Sequence, residues 1–180
     1  MPSRSDGKIN FFIFAGQSLR RNYYENDRMI KALFLDIDGT LVSFETHRVG
    51  EPTRNALAEA RRRGLLLFIA TGRHRCDLNN LGDLAFDGYV TLNGQYCYDA
   101  RGVIYRRSID PNDIRTAVGL IEREPFPCLF IEEDRMYINC ADDNFRAAQR
   151  LLNFGDPPVE SPSRALRTDI FQLMPFIGPE

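Results

Sequence analysis

The sequence predicts an α/β fold built on a parallel sheet. Three short apolar runs, at 30–37, 65–70 and 88–92, each end in polar residues, and helical or loop-like segments separate them. Continuous apolar runs are typical of strands buried on both faces, as strands of parallel sheets are. Strands that alternate with helices connect by right-handed crossovers, so we expect helices on both faces of the sheet.

Two helices are predicted between these strands. The first covers 51–64, because Pro52 suits its first turn, an apolar stripe runs along it and Gly64 suits its end. The second is short and covers 73–82, between the second and third strands.

After the third strand the pattern changes to hairpins and longer helices. Asp110 is the predicted N-cap of one helix, and Asp142 or Asp143 that of the next. This order predicts an α+β module inserted after the third strand. Its elements are a hairpin at 94–109, a helix at 110–124, a hairpin at 127–140, a helix at 141–155, a Pro/Ser-rich loop at 156–167 and a strand at 168–176.

We expect three regions along the chain. Residues 1–28 are polar and basic apart from "FFIF", and we predict a flexible extension there, with a further strand at 9–14 as the alternative. Residues 29–96 form the N-terminal part of an α/β core, and 97–180 form the α+β module, which we expect to be incomplete.

Composition narrows the class of protein. The net charge of −2 gives no electrostatic reason to expect nucleic acid or an anionic membrane as partner. No apolar run approaches the roughly 20 residues that a membrane span needs. The four cysteines lack metal-site spacing and indicate reduced thiols in a cytoplasmic protein, with a disulfide between Cys128 and Cys140 as the alternative.

Polar residues cluster where each of the three strands ends. In open parallel sheets ligands bind beyond the carboxyl ends of the strands, so we expect these clusters to form one site. The clusters are Asp36 and Asp38 with Gly39 and Thr40, then Thr71, Gly72 and Arg73, then Asn93 and Gly94.

The chemistry of these residue types points to a phosphoryl group. Asp36 and Asp38 leave an extended backbone on the same side, and their repulsion favours either a bound cation such as Mg²⁺ or a shared proton. Gly39 allows a tight turn whose N–H groups can point at an anion. Thr71 offers a hydroxyl and an N–H to a phosphate oxygen, and Asn93 can orient another.

The motifs "FLDIDGTL", "ATGR" and "TLNG" together resemble the haloacid-dehalogenase-like superfamily of phosphohydrolases. The segment after "NG" is similar to the large α+β cap of its Cof-type sugar-phosphate phosphatases. The likeness runs from about Ile30 to the last residue, and it implies a Rossmann-like parallel core with an inserted cap domain at 97–180.

The resemblance also implies roles for the predicted site residues. Asp36 matches the nucleophile that forms an aspartyl-phosphate, and Asp38 matches the general acid and base. The Asp36 carboxylate and the Asp38 carbonyl would bind Mg²⁺, and Thr71 matches a phosphate ligand. The remaining matches flank the substrate: Gly72, Arg73, Asn93 and Gly94. For Arg73 the alternative is an exposed charge at a helix end.

Two motifs of the family have no match in this sequence. One is a lysine that neutralises the phosphate, but the chain has only Lys8 and Lys31, and Lys31 precedes the first strand. The other is an acidic Gly-Asp loop. The segment "GDPP" at 155–158 has two prolines where a helix should begin, and Asp142 and Asp143 suit a helix start instead. We therefore expect the front part of a longer enzyme.

The leading functional hypothesis is a Mg²⁺-dependent phosphatase that acts on a small phosphorylated metabolite such as a sugar phosphate. Phosphoryl transfer between sugars, as in phosphomannomutase-like relatives, is one alternative. The other is a truncated, inactive copy that binds phosphate weakly or serves as a partner subunit.

Overall fold

The computed structural model of the protein describes residues 30–152 and 155–178. The predicted extension at 1–28 and its alternative strand at 9–14 lie outside these residues. The chain divides into two compact units. Of the described residues, the first unit contains those up to Thr71 together with Asn80–Tyr89, and the second contains Gly72–Asn79 together with those from Val90 onward.

The first unit is a small α/β structure. It contains β1 (Ala32–Leu35), α1 (Glu51–Arg62) and β2 (Leu66–Ala70), and β3 (Gly88–Thr91) begins in it. β1 and β2 pair in parallel, as the apolar runs predict, and β2 lies between β1 and β3 in the sheet.

Apolar packing and one carboxylate fix β2 in this unit. The rings of Phe34 and Phe68, which are register partners, stack with centroids 4.8 Å apart. The backbone of Leu67 donates to the Asp87 carboxylate at 2.8 Å and accepts from the Asp87 N–H at 2.7 Å. Both polar groups of that strand residue are therefore satisfied, as buried backbone requires.

The second unit combines a hairpin with a three-stranded antiparallel sheet. In the hairpin, β4 pairs with β5 and the register shifts at Cys97. In the three-stranded sheet, β6 lies between β7 and β8. The elements are β4 (Tyr96–Asp99), β5 (Gly102–Arg106), α2 (Pro111–Arg123), β6 (Cys128–Ile131), β7 (Met136–Ile138), α3 (Asp143–Leu152) and β8 (Gln172–Pro175).

β6 is buried on both faces and separates two apolar layers. Phe130 belongs to the layer that includes Ile114 and Val118 of α2, and its ring stacks on that of Tyr137 with centroids 4.9 Å apart. Leu129 belongs to the opposite layer with the α3 residue Phe145 and with Tyr96 of β4. Alternate residues of one strand thus serve both layers, as the twofold period of strand side chains dictates.

The structure corrects two predictions about secondary structure. The short helix predicted at 73–82 is a pair of 3₁₀ turns, Arg75–Asp77 and Asn79–Leu81. The segment has no apolar stripe at helical spacing, so nothing favours a longer helix over these turns. The loop predicted at 156–167 contains a 3₁₀ helix, Pro162–Leu166, which begins at the Ser161 cap.

All four cysteines are free thiols, so the alternative of a disulfide between Cys128 and Cys140 is wrong. Among the described residues, no helix has the length and apolar character needed to cross a membrane.

The N-cap of α2 offers a stability test. The Asp110 carboxylate accepts from the Asn112 N–H at 2.8 Å, as predicted. Asp110→Ala leaves that amide without its capping acceptor, and we expect a loss of about 1 kcal/mol in the free energy of unfolding. Urea denaturation measures it. Asp113→Ala, which removes an exposed carboxylate in the first turn of the same helix, is the matched control. An equal effect of the two changes would contradict the cap.

Candidate active site

The site begins at a turn built on Ile37, directly after β1. The Ile37 side chain is completely buried, whereas Asp36 before it is exposed and Asp38 after it is half-buried. The Ile37 carbonyl accepts from the N–H groups of Leu41 at 3.0 Å and Val42 at 2.9 Å. Because Ile37 enters the core, its neighbours Asp36 and Asp38 are left with solvent-accessible carboxyl groups.

Gly39 shapes the loop that follows. Its φ is +75°, and a Cβ there would lie 2.8 Å from the ring of Phe44. Its N–H donates to Val42 O at 2.9 Å, and the Thr40 N–H lies 3.3 Å from Ile37 O. These amides therefore bond within the turn, whereas the sequence predicts N–H groups here that point at an anion.

Thr71 follows β2 and is buried, with an exposed fraction of 6%. It is the last residue of its segment in the first unit. That unit therefore contains five of the predicted site residues: Asp36, Asp38, Gly39, Thr40 and Thr71.

The second unit brings the other four predicted residues together. The Leu92 N–H donates to the Arg73 carbonyl at 3.2 Å, which ties the end of β3 to the segment after Thr71. A Cβ on Gly72 would lie 3.1 Å from Asn93 Oδ1. Gly72 thus permits a close approach that a larger residue would obstruct, and Gly72, Arg73, Asn93 and Gly94 form one cluster.

The backbone at 92–94 is left-handed at three successive residues. The φ values are 51° at Leu92, 55° at Asn93 and 94° at Gly94. Non-glycine residues in this region cost about 1–3 kcal/mol each and persist only where the surroundings impose them. The Leu92 side chain is 2% exposed, so its burial opposes that cost. Asn93 is left exposed next to Gly72.

Arg73 is part of this cluster rather than an exposed helix-end charge. Its side chain is only 15% exposed, and one guanidinium nitrogen lies 3.2 Å from a carboxylate oxygen of Asp77. The same nitrogen donates to the Asp77 carbonyl at 3.2 Å. The 3₁₀ turn that ends at Asp77 therefore fixes the direction of the Arg73 side chain.

His74 is a buried polar residue that sequence reasoning missed. It is 3% exposed, its Nδ1 accepts from the Cys76 N–H at 3.3 Å, and its Nε2 lies 3.1 Å from the carbonyls of both Glu132 and Glu133. Burial lowers the pKa of the imidazole, and the nearby Arg75 acts in the same direction. The only sequence signal is a histidine directly after Thr-Gly-Arg.

The residues present fit Mg²⁺ in the kind of donor they offer. Mg²⁺ takes oxygen ligands, keeps several waters and is commonly held by one or two carboxylates with a substrate phosphate. Asp36 offers a carboxylate and Asp38 a backbone carbonyl oxygen. Within 30–152 and 155–178, no group of three or more His, Cys, Asp or Glu side chains could hold a metal ion.

The other acidic candidates and Lys31 have ordinary structural places. The Asp142 carboxylate accepts from the Phe145 N–H at 2.9 Å, so of the two predicted caps of α3 it is Asp142 that acts. Asp156 pairs with Arg146 at 2.6 Å. Lys31 is exposed and directly precedes β1, as predicted.

Comparison with known proteins decides the family. Residues 33–178 match the family model described as haloacid dehalogenase-like hydrolase. The chain belongs to this family. The resemblance inferred from "FLDIDGTL", "ATGR" and "TLNG" is therefore confirmed, and so is the α/β fold class.

Three similar proteins place the chain more closely within the family. A solved structure of a HAD subclass IIB sugar phosphatase, BT4131, is 39% identical with a TM-score of 0.75, over 82% of this chain and 58% of that one. A candidate phosphatase of Bacillus subtilis (strain 168), YkrA, is 33% identical over 62% of this chain and 44% of that protein. The HMP-PP phosphatase of Escherichia coli (strain K12 / DH10B) is 36% identical over 50% and 34%. The chain spans less than two thirds of each relative.

The turn at Gly39 gives a second stability test. In Gly39→Ala, the left-handed φ and the 2.8 Å approach to Phe44 both oppose the new methyl group. We expect a loss of about 1–2 kcal/mol in the free energy of unfolding, measured in urea. Gly39→Ala combined with Phe44→Ala separates the two causes, because the second change removes the ring and leaves φ.

Gly119→Ala is the control for the added methyl group. Gly119 lies in α2 with nothing within 4 Å of the Cβ position, so the change should be neutral or stabilise by up to about 1 kcal/mol. Equal effects at positions 39 and 119 would show that the turn imposes no conformational demand.

Proposed function

We propose that this chain carries the nucleophile and the acid–base residue of a Mg²⁺-dependent phosphatase that acts on a small phosphorylated metabolite. The observation that supports this proposal is the pair Asp36 and Asp38, held on either side of the buried Ile37 in a member of the haloacid dehalogenase-like hydrolase family.

The reaction proceeds in two steps at these carboxylates. In the first, an Asp36 oxygen attacks phosphorus, the bond from phosphorus to the leaving oxygen breaks, and protonated Asp38 gives its proton to that oxygen. In the second, ionised Asp38 takes a proton from a water that attacks phosphorus. The bond between phosphorus and Asp36 then breaks, and inorganic phosphate leaves with both carboxyl groups restored.

The resemblance to the family assigns phosphate binding and substrate contact to the other predicted residues. The Asp36 carboxylate and the Asp38 carbonyl would hold Mg²⁺, which when bound neutralises phosphate charge and orients the reacting oxygens. The Thr71 hydroxyl and N–H offer hydrogen bonds to a phosphate oxygen. Gly39 and Thr40 belong to the turn after Asp38, and the positions that flank the substrate are Gly72, Arg73, Asn93 and Gly94.

The names of the relatives support hydrolysis rather than transfer between sugars. BT4131 is described as a sugar phosphatase and the Escherichia coli protein as an HMP-PP phosphatase. We propose water as the acceptor and a small phosphorylated metabolite, such as a sugar phosphate, as the substrate. The free thiols of all four cysteines agree with action in the reducing cytoplasm.

We expect slow turnover by this chain alone. Its lysines are confined to positions 8 and 31, and Lys31 lies at the start of the strand that Asp36 follows. Loss of one preorganised charged group, here the lysine that the family pairs with the phosphate, typically costs about 10²–10³ in rate.

The decisive test is phosphate release from an aryl phosphate such as para-nitrophenyl phosphate, with and without Mg²⁺. Asp36→Asn keeps the shape of the side chain but removes the nucleophilic carboxylate. We expect the rate of the full chain to fall to background, by on the order of 10³-fold or more, and chelation of Mg²⁺ to do the same.

Asp113→Asn is the matched control, because it makes the same chemical change on an exposed face of α2. It should leave the rate unchanged. Activity that persists in Asp36→Asn would refute the assigned nucleophile.

A further inference from the structure

His74 uses both of its ring nitrogens. The carbonyls of Glu132 and Glu133 can only accept, so Nε2 carries the hydrogen and donates to both at 3.1 Å. Nδ1 accepts from the Cys76 N–H at 3.3 Å, so it carries none. Only the neutral tautomer with hydrogen on Nε2 satisfies all three contacts.

The imidazole binds a turn that is fixed from its other side. The Glu132 carboxylate is 8% exposed and accepts from Arg164 at 2.7 Å and from the Thr168 hydroxyl at 3.0 Å. The Glu133 carboxylate accepts from the Tyr96 hydroxyl at 2.9 Å and from Arg106 at 2.5 Å. The two carbonyls that His74 contacts are therefore held in place independently of it.

The neighbours of His74 bind the same turn. Arg75 Nε donates to the Glu133 carbonyl at 3.0 Å, and Cys76 Sγ donates to the Asp134 carbonyl at 3.2 Å. Three successive residues thus attach the segment to Glu132–Asp134, and His74 is the most buried of them.

The attachment reaches the predicted phosphate site through short links. The hydrogen bond from the Cys76 N–H to the His74 side chain caps the start of the 3₁₀ turn Arg75–Asp77. Asp77 at its end contacts the guanidinium of Arg73. The Arg73 carbonyl in turn accepts from the Leu92 N–H, next to Asn93.

We propose that His74 is a positioning residue that fixes the segment Gly72–Asp77 on the turn Glu132–Asp134 and so presets Gly72 and Arg73 for phosphate. The role rests on the proposed function, since it presumes that these two residues face the phosphoryl group. His74 itself acts through Arg73 and touches no substrate.

Protonation of His74 would break its contact with the Cys76 N–H. A hydrogen added to Nδ1 would oppose the Cys76 N–H, and burial lowers the pKa of His74 below its ordinary 6.5. Of the charges around the ring, Arg75 disfavours the cation and Asp134 favours it. The carboxylates of Glu132 and Glu133 are engaged by Arg164 and by Tyr96 with Arg106.

The sign of the pH effect follows from that lowered pKa. The unfolded imidazole gains a proton as pH falls through about 6.5, while the folded one remains neutral to lower pH. The His74 contribution to stability is thus fully present above pH 6.5 and is lost progressively below it.

The first test is direct, because the chain has only two histidines, His47 and His74. Long-range ¹H–¹⁵N NMR of the histidine-labelled full chain reports the tautomer and the titration of each ring, and a His47→Gln variant assigns the signals. We expect neutral His74 with hydrogen on Nε2 and a pKa below 6.5. Hydrogen on Nδ1, or titration at or above 6.5, overturns the proposal.

The second test measures function by the binding of inorganic phosphate, followed by isothermal titration calorimetry at pH 7.5. His74→Ala should weaken phosphate binding about tenfold, which is roughly the contribution of the hydrogen bond from Arg73 to phosphate that we expect to be lost. His74→Gln, whose amide can still donate and accept, should recover most of it. In the wild type, binding should weaken as pH falls through the lowered pKa of folded His74, and it should do so more steeply than in His74→Gln.

Asn139→Ala is the matched control. Asn139 also ties two backbone segments together, accepting from the Cys128 N–H at 2.7 Å and donating to the Phe126 carbonyl at 3.0 Å. It should lose stability in urea without losing phosphate affinity. Equal phosphate affinity in the wild type and His74→Ala would overturn the positioning role alone. Absence of phosphate binding in the wild type would overturn both that role and the proposed function.

Discussion

The burial of Ile37 between two aspartates is the constraint on which the site depends. Ile37 has no exposed surface, so its burial fixes the backbone just after β1. Its carbonyl accepts hydrogen bonds from the N–H groups of Leu41 and Val42. Asp36, which precedes Ile37, is exposed, and Asp38, which follows it, is half-buried. The burial of one apolar turn residue thus determines where the polar residues next to it lie, although the hydrophobic effect itself has no direction.

The second unit places Asn93 in a comparable way. Leu92 is buried and Asn93 next to it is exposed, although the backbone there is left-handed. In both units an apolar neighbour in the core holds a polar residue at the surface. His74 adds a different device, since it fixes its segment with hydrogen bonds to carbonyls.

Regular elements were predictable from the sequence because their signals are local. Each signal lies within the strand or helix that it predicts, or directly beside it. Examples are the apolar runs of β1 and β2, Pro52 at the start of α1, and the caps Asp110 and Asp142. His74 could not be found in this way, because the carbonyls that it contacts lie 58 and 59 residues further along the chain. The family followed from three motifs, while the role of each site residue remains a prediction.

The left-handed run at 92–94 also bears on how this sequence can change. A replacement at position 92 must be apolar enough for the core and tolerate a positive φ, which excludes the β-branched residues most sharply. At position 93, aspartate and glycine are the least costly alternatives to asparagine. The middle residues of β5, Val103, Ile104 and Tyr105, are exposed and carry no such double demand. Among lineages that keep this fold, substitutions should therefore accumulate at positions 103–105 and be rare at positions 92 and 93.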